Sequence, residues 1–152
     1  MKIKAVIIDD EPNNIELLKV LIEQTNIQLL VADSFLDFNE ALDYLNHNKI
    51  DALFLDIRLK DHTGFELYAN LVNKPEVIFT TAYAGYAFQA IKVDPVDYLL
   101  KPIDRNELSK AIDKLINRIS LKREIEEEIV IKNLIHQFES FTNGGLIFLK
   151  NK

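Results

Sequence analysis

Residues 52–56 read ALFLD, four apolar side chains in succession closed by a carboxylate. A strand with one wet face alternates apolar and polar residues. An unbroken apolar run belongs instead to a strand covered on both faces, the habit of parallel sheets. Residues 4–9, KAVIID, repeat the pattern, again ending in an acid. Between the two runs, Pro12 suits the first turn of a helix, where its missing N–H costs nothing. Ile15, Leu18, Leu21 and Ile22 then recur at helical spacing. Leu29–Ala32 reads as a second strand, and Phe38, Ala41, Leu42 and Leu45 mark a second helix. Beyond ALFLD, Phe65, Leu67, Tyr68 and Leu71 give a third helix and 77–79 a fourth strand. Residues 86–91 read as a short helix and 98–100 as a fifth strand. Leu108, Ala111, Ile112, Leu115 and Ile119 form the stripe of a fifth helix. Five β-then-α units in a row predict an α/β fold, a doubly wound five-stranded parallel sheet in three layers with helices on both faces.

Composition narrows the function classes. The 152 residues carry a net charge of -6. That balance disfavours direct nucleic-acid binding, whose affinity rests on neutralising phosphates. With no cysteine, disulfides and thiolate metal sites are excluded. The opening MKIKAVIIDD is too short in apolar residues for a signal peptide. No run approaches the roughly 20 apolar residues of a membrane span. A cytoplasmic protein with no membrane contact is expected.

In doubly wound sheets, ligands sit outside the carboxyl ends of the strands. The first strand ends in Asp9-Asp10, the third in Asp56, the fourth in Thr80-Thr81, and the fifth is followed by Lys101-Pro102. Any one of these is explained as a helix cap or turn residue. Their joint occurrence on four of five strands is not. Three gathered carboxylates repel one another unless one protonates or a cation binds. Oxygen donors without His or Cys favour a hard ion, Mg²⁺ first. Three carboxylates, Mg²⁺ and the Lys101 ammonium sum to a formal charge near zero.

Asp9-Asp10, Asp56, Thr81 and Lys101-Pro102, in this order, resemble the receiver domain of two-component response regulators, which has a flavodoxin-like fold. The resemblance covers residues 1–120. The stretch VIFTTAYAGYAFQAIKVDPVDYLLKPI, residues 77–103, is similar to receivers of the LytTR-type subgroup. The resemblance implies that Asp56 accepts a phosphoryl group from a sensor histidine kinase. It implies that Asp10 and Asp56 ligate Mg²⁺ directly, that Asp9 helps through water, and that Arg58 adds its backbone carbonyl, its side chain playing no part. Thr81 would hydrogen-bond the phosphoryl group, Lys101 would pair with a phosphoryl oxygen, and Pro102 would follow a cis peptide bond. Tyr98 would be the switching aromatic ring. The product would be a signalling switch rather than an enzyme, limited to self-phosphorylation and slow autodephosphorylation. Its fourth helix, fifth strand and fifth helix would pair with a second receiver in a homodimer.

One departure is visible. Leu59-Lys60 stand where many receivers have Met-Pro. Gly64 suits a turn needing positive φ, and His62 reads as a solvated loop residue. Two rival readings of the chemistry fit the residues less well. A haloacid-dehalogenase-like phosphatase places two acids as DxD after its first strand, whereas Asp9 and Asp10 are adjacent. A degenerate receiver would lack part of the acid set, which is complete here.

Residues 121–152 lie outside the resemblance. KREIEEE, residues 122–128, reads as a helix extension or linker. Ile131, Leu134, Ile135 and Phe138 form an apolar stripe that suits either packing within the chain or a dimer contact. Asn143-Gly144-Gly145 signals a turn, and LIFL at 146–149 reads as a strand. A lone strand is not a stable end, so the stretch is expected to enter a truncated output domain. The LytTR-like character implies that this domain, and not the residues present, binds DNA.

Overall fold

Apolar runs that cannot alternate need partners on both sides, and the computed structural model supplies them. It describes residues 2–150, with side chains through residue 143. The five runs become β1 (Ile3–Ile8), β2 (Leu29–Phe35), β3 (Ala52–Asp56), β4 (Glu76–Thr81) and β5 (Asp97–Leu100). They form one sheet of order β2-β1-β3-β4-β5 with every neighbour parallel. The helices are α1 (Pro12–Thr25), α2 (Phe38–His47), α3 (Gly64–Ala69), α4 (Ala87–Ile91) and α5 (Arg105–Lys150). A 3₁₀ turn at Ala84–Tyr86 precedes α4. A two-residue ribbon, Arg58–Leu59 against His62–Thr63, follows β3.

Strand alternation divides the core between the two sheet faces. Val6, Ile8, Leu53, Leu55, Val77 and Phe79 cluster with Ala41 and Leu45 of α2, Leu67 of α3 and Ala90 of α4. Ala5, Ile7, Phe54 and Ile78 point to the opposite face and are as fully buried. Ile15, Leu18 and Ile22 of α1, with Leu108, Ala111, Ile112 and Leu115 of α5, are buried as well. Each large side chain buried in this way contributes about 1.5–3 kcal/mol. The helix starts are capped locally. Asp37 accepts the Glu40 N–H at 2.9 Å, Thr63 the Glu66 N–H at 3.1 Å, and Asp104 the Glu107 N–H at 3.0 Å.

Three local expectations are corrected. Among the described residues no glycine has positive φ, whereas Lys60 (φ 44°) and Asp94 (φ 54°) do. Gly64 is required for a different reason. A Cβ there would stand 2.4 Å from the Asp56 carbonyl oxygen and 3.0 Å from Leu55 Cγ. Gly64→Ala is therefore expected to lower stability by about 1–3 kcal/mol, measured by urea unfolding. A loss under about 0.5 kcal/mol would mean that the backbone yields without strain. His62 is also more than a solvated loop residue. Its ring stacks on Phe38 at 4.1 Å and its Nδ1 lies 3.1 Å from Glu66 Oε2.

The third correction is the end of the chain. The backbone of residues 143–150 continues as helix, not as a turn and strand. A helix satisfies its backbone groups within itself, whereas a single strand has no ladder to join. Residues 1–117 and 118–152 form two compact units. In the second, Ile131, Leu134, Ile135 and Phe138 are each more than half exposed.

Candidate functional site

The chain runs from β1 outward to β2 and then returns to the other side of β1 as β3. The loops after β1 and β3 therefore diverge, and a crevice opens between them at the carboxyl ends of the strands. Asp9 and Asp10 leave β1 there, and Asp56 is the last residue of β3. One carboxylate oxygen from each of the three lies within 4.8 Å of the others. Asp9 and Asp56 are buried, and Asp10 is half-buried. Lys101, which follows β5, extends its ammonium into the same place. Its Nζ stands 2.7 Å from Asp9 Oδ2 and 3.2 Å from Asp56 Oδ2. The Lys101 backbone N–H donates to the Thr81 carbonyl at 2.8 Å, tying the β4 and β5 ends together. The Lys101–Pro102 peptide bond is cis.

Burial dominates the electrostatics of Asp56. Desolvation pushes its carboxyl up from the ordinary 3.8 to about 6. The Lys101 charge works against that rise, and the Asp9 charge adds to it. Burial lowers the Lys101 ammonium, but its hydrogen bond to Asp9 and the charges of Asp56 and Asp9 outweigh this and raise it overall. The cluster thus keeps its cation charged and holds its central acid near the edge of ionisation.

The remaining predicted residues stand around this centre. Thr81 is fully buried at the end of β4, and its Oγ1 accepts the Tyr83 N–H at 3.2 Å. Tyr98, half-buried on β5, donates its hydroxyl to the Tyr83 carbonyl. Arg58 donates its backbone N–H to Asp56 Oδ1 at 3.4 Å. Its guanidinium, given no part by the sequence, lies 4.6 Å from the Tyr83 ring centroid. Three further contributors escaped sequence reasoning. Asn14 Nδ2 reaches Asp9 Oδ1 at 3.4 Å, the Glu11 N–H reaches the same oxygen at 2.9 Å, and the Lys60 N–H reaches Asp10 Oδ2 at 3.3 Å. Only Asn14 left a trace, standing one helical turn beyond Asp10. Together these residues line an open hollow of about 460 Å³ that includes Asp10, Asp56, Arg58, Tyr83 and Lys101.

The donor set suits a hard divalent cation. It consists of carboxylate oxygens only, converges within one coordination sphere and carries more negative charge than Lys101 offsets.

Comparisons with known proteins agree with this geometry. The family model described as response regulator receiver domain matches residues 5–113. The sensory transduction protein LytT of Bacillus anthracis is 37% identical over 131 residues, covering 84% of this chain and 52% of that protein. The chain thus spans about half the length of the curated relatives it matches. The crystal structure of the response regulatory domain of protein mrkE from Klebsiella pneumoniae superposes with a TM-score of 0.72 at 31% identity. That match covers 78% of this chain and 99% of the other. Response regulator TrrA from Thermotoga maritima, solved in complex with Mg(2+)-BeF, superposes with a TM-score of 0.64 at 27% identity. There the match covers 76% of this chain and 99% of that one. Fold, acid cluster and sequence similarity coincide over the same residues, and the chain belongs to the response regulator receiver domain family.

Proposed function

We propose that residues 1–120 act as a phosphorylation switch in which Asp56 accepts a phosphoryl group from a phosphohistidine on a sensor histidine kinase. The single observation that carries this is the Lys101 ammonium bridging Asp9 and Asp56 inside a cluster of three acids. A salt bridge alone needs one carboxylate; the extra acids make sense as ligands.

An Asp56 carboxylate oxygen would form the O–P bond as the P–N bond to the donor imidazole breaks, the bonding pair leaving with the nitrogen. No general base is needed, because the carboxylate is already the nucleophile. Such transfers rest on positioning and charge. Asp10 and Asp56 would hold Mg²⁺ directly, with Asp9 assisting through water and the Arg58 carbonyl completing the protein ligands. When bound, Mg²⁺ supplies positive charge opposite the phosphoryl oxygens. Lys101 would move its hydrogen bond from Asp56 to a phosphoryl oxygen. The TrrA complex with Mg(2+)-BeF supports the same site chemistry here. Water would release the group slowly, so the chain is a switch and turns over no separate substrate.

The Thr81 hydroxyl would turn toward the phosphoryl group, and the Tyr98 ring would follow inward. That movement remodels the α4-β5-α5 surface, on which Phe88, Ile91 and Leu100 are already exposed, and favours pairing with a second receiver. Residues 121–152 would form a linker helix leading into an output domain, through which alone DNA would be bound. A cytoplasmic location belongs to the same reading. Among the described residues, no helix is long and apolar enough to cross a membrane.

Labelled acetyl phosphate tests the proposal. Mg²⁺-dependent label should appear on Asp56 as an acyl phosphate, stable in acid and cleaved by hydroxylamine. In Asp10→Ala, Mg²⁺ affinity should fall by more than the roughly tenfold to hundredfold that loss of an outer-shell partner costs. An unchanged Mg²⁺ titration would remove the metal from the reading.

A further inference from the structure

The three acids of the cluster are not held alike. Asp9 accepts from Lys101, from the Glu11 N–H and from Asn14, and Asp56 accepts from Lys101 and the Arg58 N–H. Asp10, the half-buried member, forms no ion pair with Lys101 among the described residues. The charges of Asp9 and Asp56 push it toward solvent. Among the described residues, one hydrogen bond opposes this. The Lys60 N–H donates to Asp10 Oδ2 at 3.3 Å, across 50 residues of sequence.

Lys60 makes that bond from an uncommon backbone conformation. Its φ is 44°, in the left-handed region that a residue with a Cβ keeps only where its surroundings impose it. Here they do so from both sides. Lys60 and Asp61 form the two-residue turn between Leu59 and His62, which pair across the ribbon. Leu59 is buried in the core, and the His62 ring is stacked on Phe38 of α2. The turn is thereby fixed to the domain with its N–H aimed at the acid. Proline, which many receivers carry at this place, makes neither contribution: its φ stays at about −65° and it has no N–H.

We propose that Lys60 is a positioning residue for the metal: its backbone N–H holds one oxygen of Asp10, so that the other is kept in the cluster before Mg²⁺ arrives. This rests on the Mg²⁺ site proposed above. Through this bond Lys60 touches neither the ion nor the phosphoryl group. It acts as an outer partner that orients a ligand. A carboxylate already fixed loses less freedom on binding, so the N–H favours the loaded site.

Lys60 also lines the hollow, and its charge acts on Mg²⁺ as well, so the test compares variants that all lack the charge. Calorimetric titration of the full chain with magnesium chloride reads the effect. Lys60→Gly keeps the N–H and accepts the positive φ. Lys60→Ala also keeps the N–H, and the two should bind Mg²⁺ alike. Lys60→Pro has no N–H and should bind about tenfold more weakly than either, the lower end of the usual loss of an outer partner. Urea unfolding in EDTA shows whether each variant is folded. If Lys60→Pro is not, the bond is read from the side of the acid. Amide exchange at Lys60 should then be about two- to tenfold faster in metal-free Asp10→Ala than in wild type. The Gly64 amide, bonded to the Ile57 carbonyl at 2.7 Å, should keep its rate. A folded Lys60→Pro that binds Mg²⁺ as Lys60→Gly does, or Lys60 exchange indifferent to Asp10, overturns the positioning role alone. Wild type that takes up no Mg²⁺ overturns the metal site itself, and this role with it.

Discussion

Asp56→Asn is expected to take up no phosphoryl label and, in metal-free buffer at pH 7.5, to be more stable than the wild-type chain. The first effect follows from chemistry. An amide has no anionic oxygen to attack phosphorus, so labelling from acetyl phosphate should fall to background. The second follows from burial. Folding pushes the Asp56 carboxyl up from 3.8 to about 6, so the folded chain prefers the protonated acid. The favourable contribution of that acid is complete below about pH 4 and is lost as pH rises through about 6. At pH 7.5 the ionised carboxylate therefore weakens the apo fold. The interval between 3.8 and about 6 corresponds to roughly 3 kcal/mol as an upper limit. Losing the 3.2 Å contact to Lys101 offsets part of the gain, leaving on the order of 1–2 kcal/mol. Urea unfolding in EDTA should show the variant ahead at pH 7.5, with the gap closing toward pH 4. Added Mg²⁺ should stabilise wild type more than the variant, because it binds the folded acid cluster. A variant that is less stable at pH 7.5, or one that still takes label at position 56, contradicts the prediction.

Lys101→Ala should act in the opposite direction on stability and in the same direction on transfer. Its ammonium lies between two buried acids, 2.7 Å from one and 3.2 Å from the other, with only 18% of the side chain exposed. Removing one partner of a buried ion pair costs about 3–5 kcal/mol, because the charges left behind stay desolvated. Water entering the open side of the hollow places this site at the lower end, about 3 kcal/mol. Transfer to Asp56 should slow by about a hundredfold to a thousandfold, the usual consequence of losing a preorganised donor at developing charge. The Lys101 charge also holds the Asp56 carboxyl down. Without it the acid rises further, and the residual transfer should need higher pH. Combining the two substitutions should cost less than Lys101→Ala alone, since one of the stranded charges is gone. A neutral Lys101→Ala, in stability and in labelling rate alike, would show that the acids are kept in check by solvent rather than by the ammonium.

The sheet was legible because its signal is local. ALFLD and KAVIID betray strands covered on both faces by their lack of alternation, and the helices by their 3.6-residue stripes. The strand-end acids followed from the same reading, since topology brings strand ends together whatever the intervening loops do. Strand limits were less legible. Β2 runs to Phe35 and β4 to Thr81, beyond their apolar centres, because parallel neighbours extend the hydrogen-bonded ladder over polar residues. LIFL at 146–149 carried the composition of a strand, yet helix prevails where no neighbouring strand offers a ladder.

The sequence by itself determined the alternation of buried strands and amphipathic helices, and with it the ends at which Asp9, Asp10, Asp56, Thr81 and Lys101 emerge. Only the tertiary structure decided that Lys101 bridges acids 92 and 45 residues away, that Gly64 is needed for closeness to Asp56 rather than for its φ, and that Arg58 lies over Tyr83. Backbone periodicity is encoded by neighbours three or four residues apart. Contacts across the sheet depend on strand register and on the packing of loops, which no short stretch of chain contains.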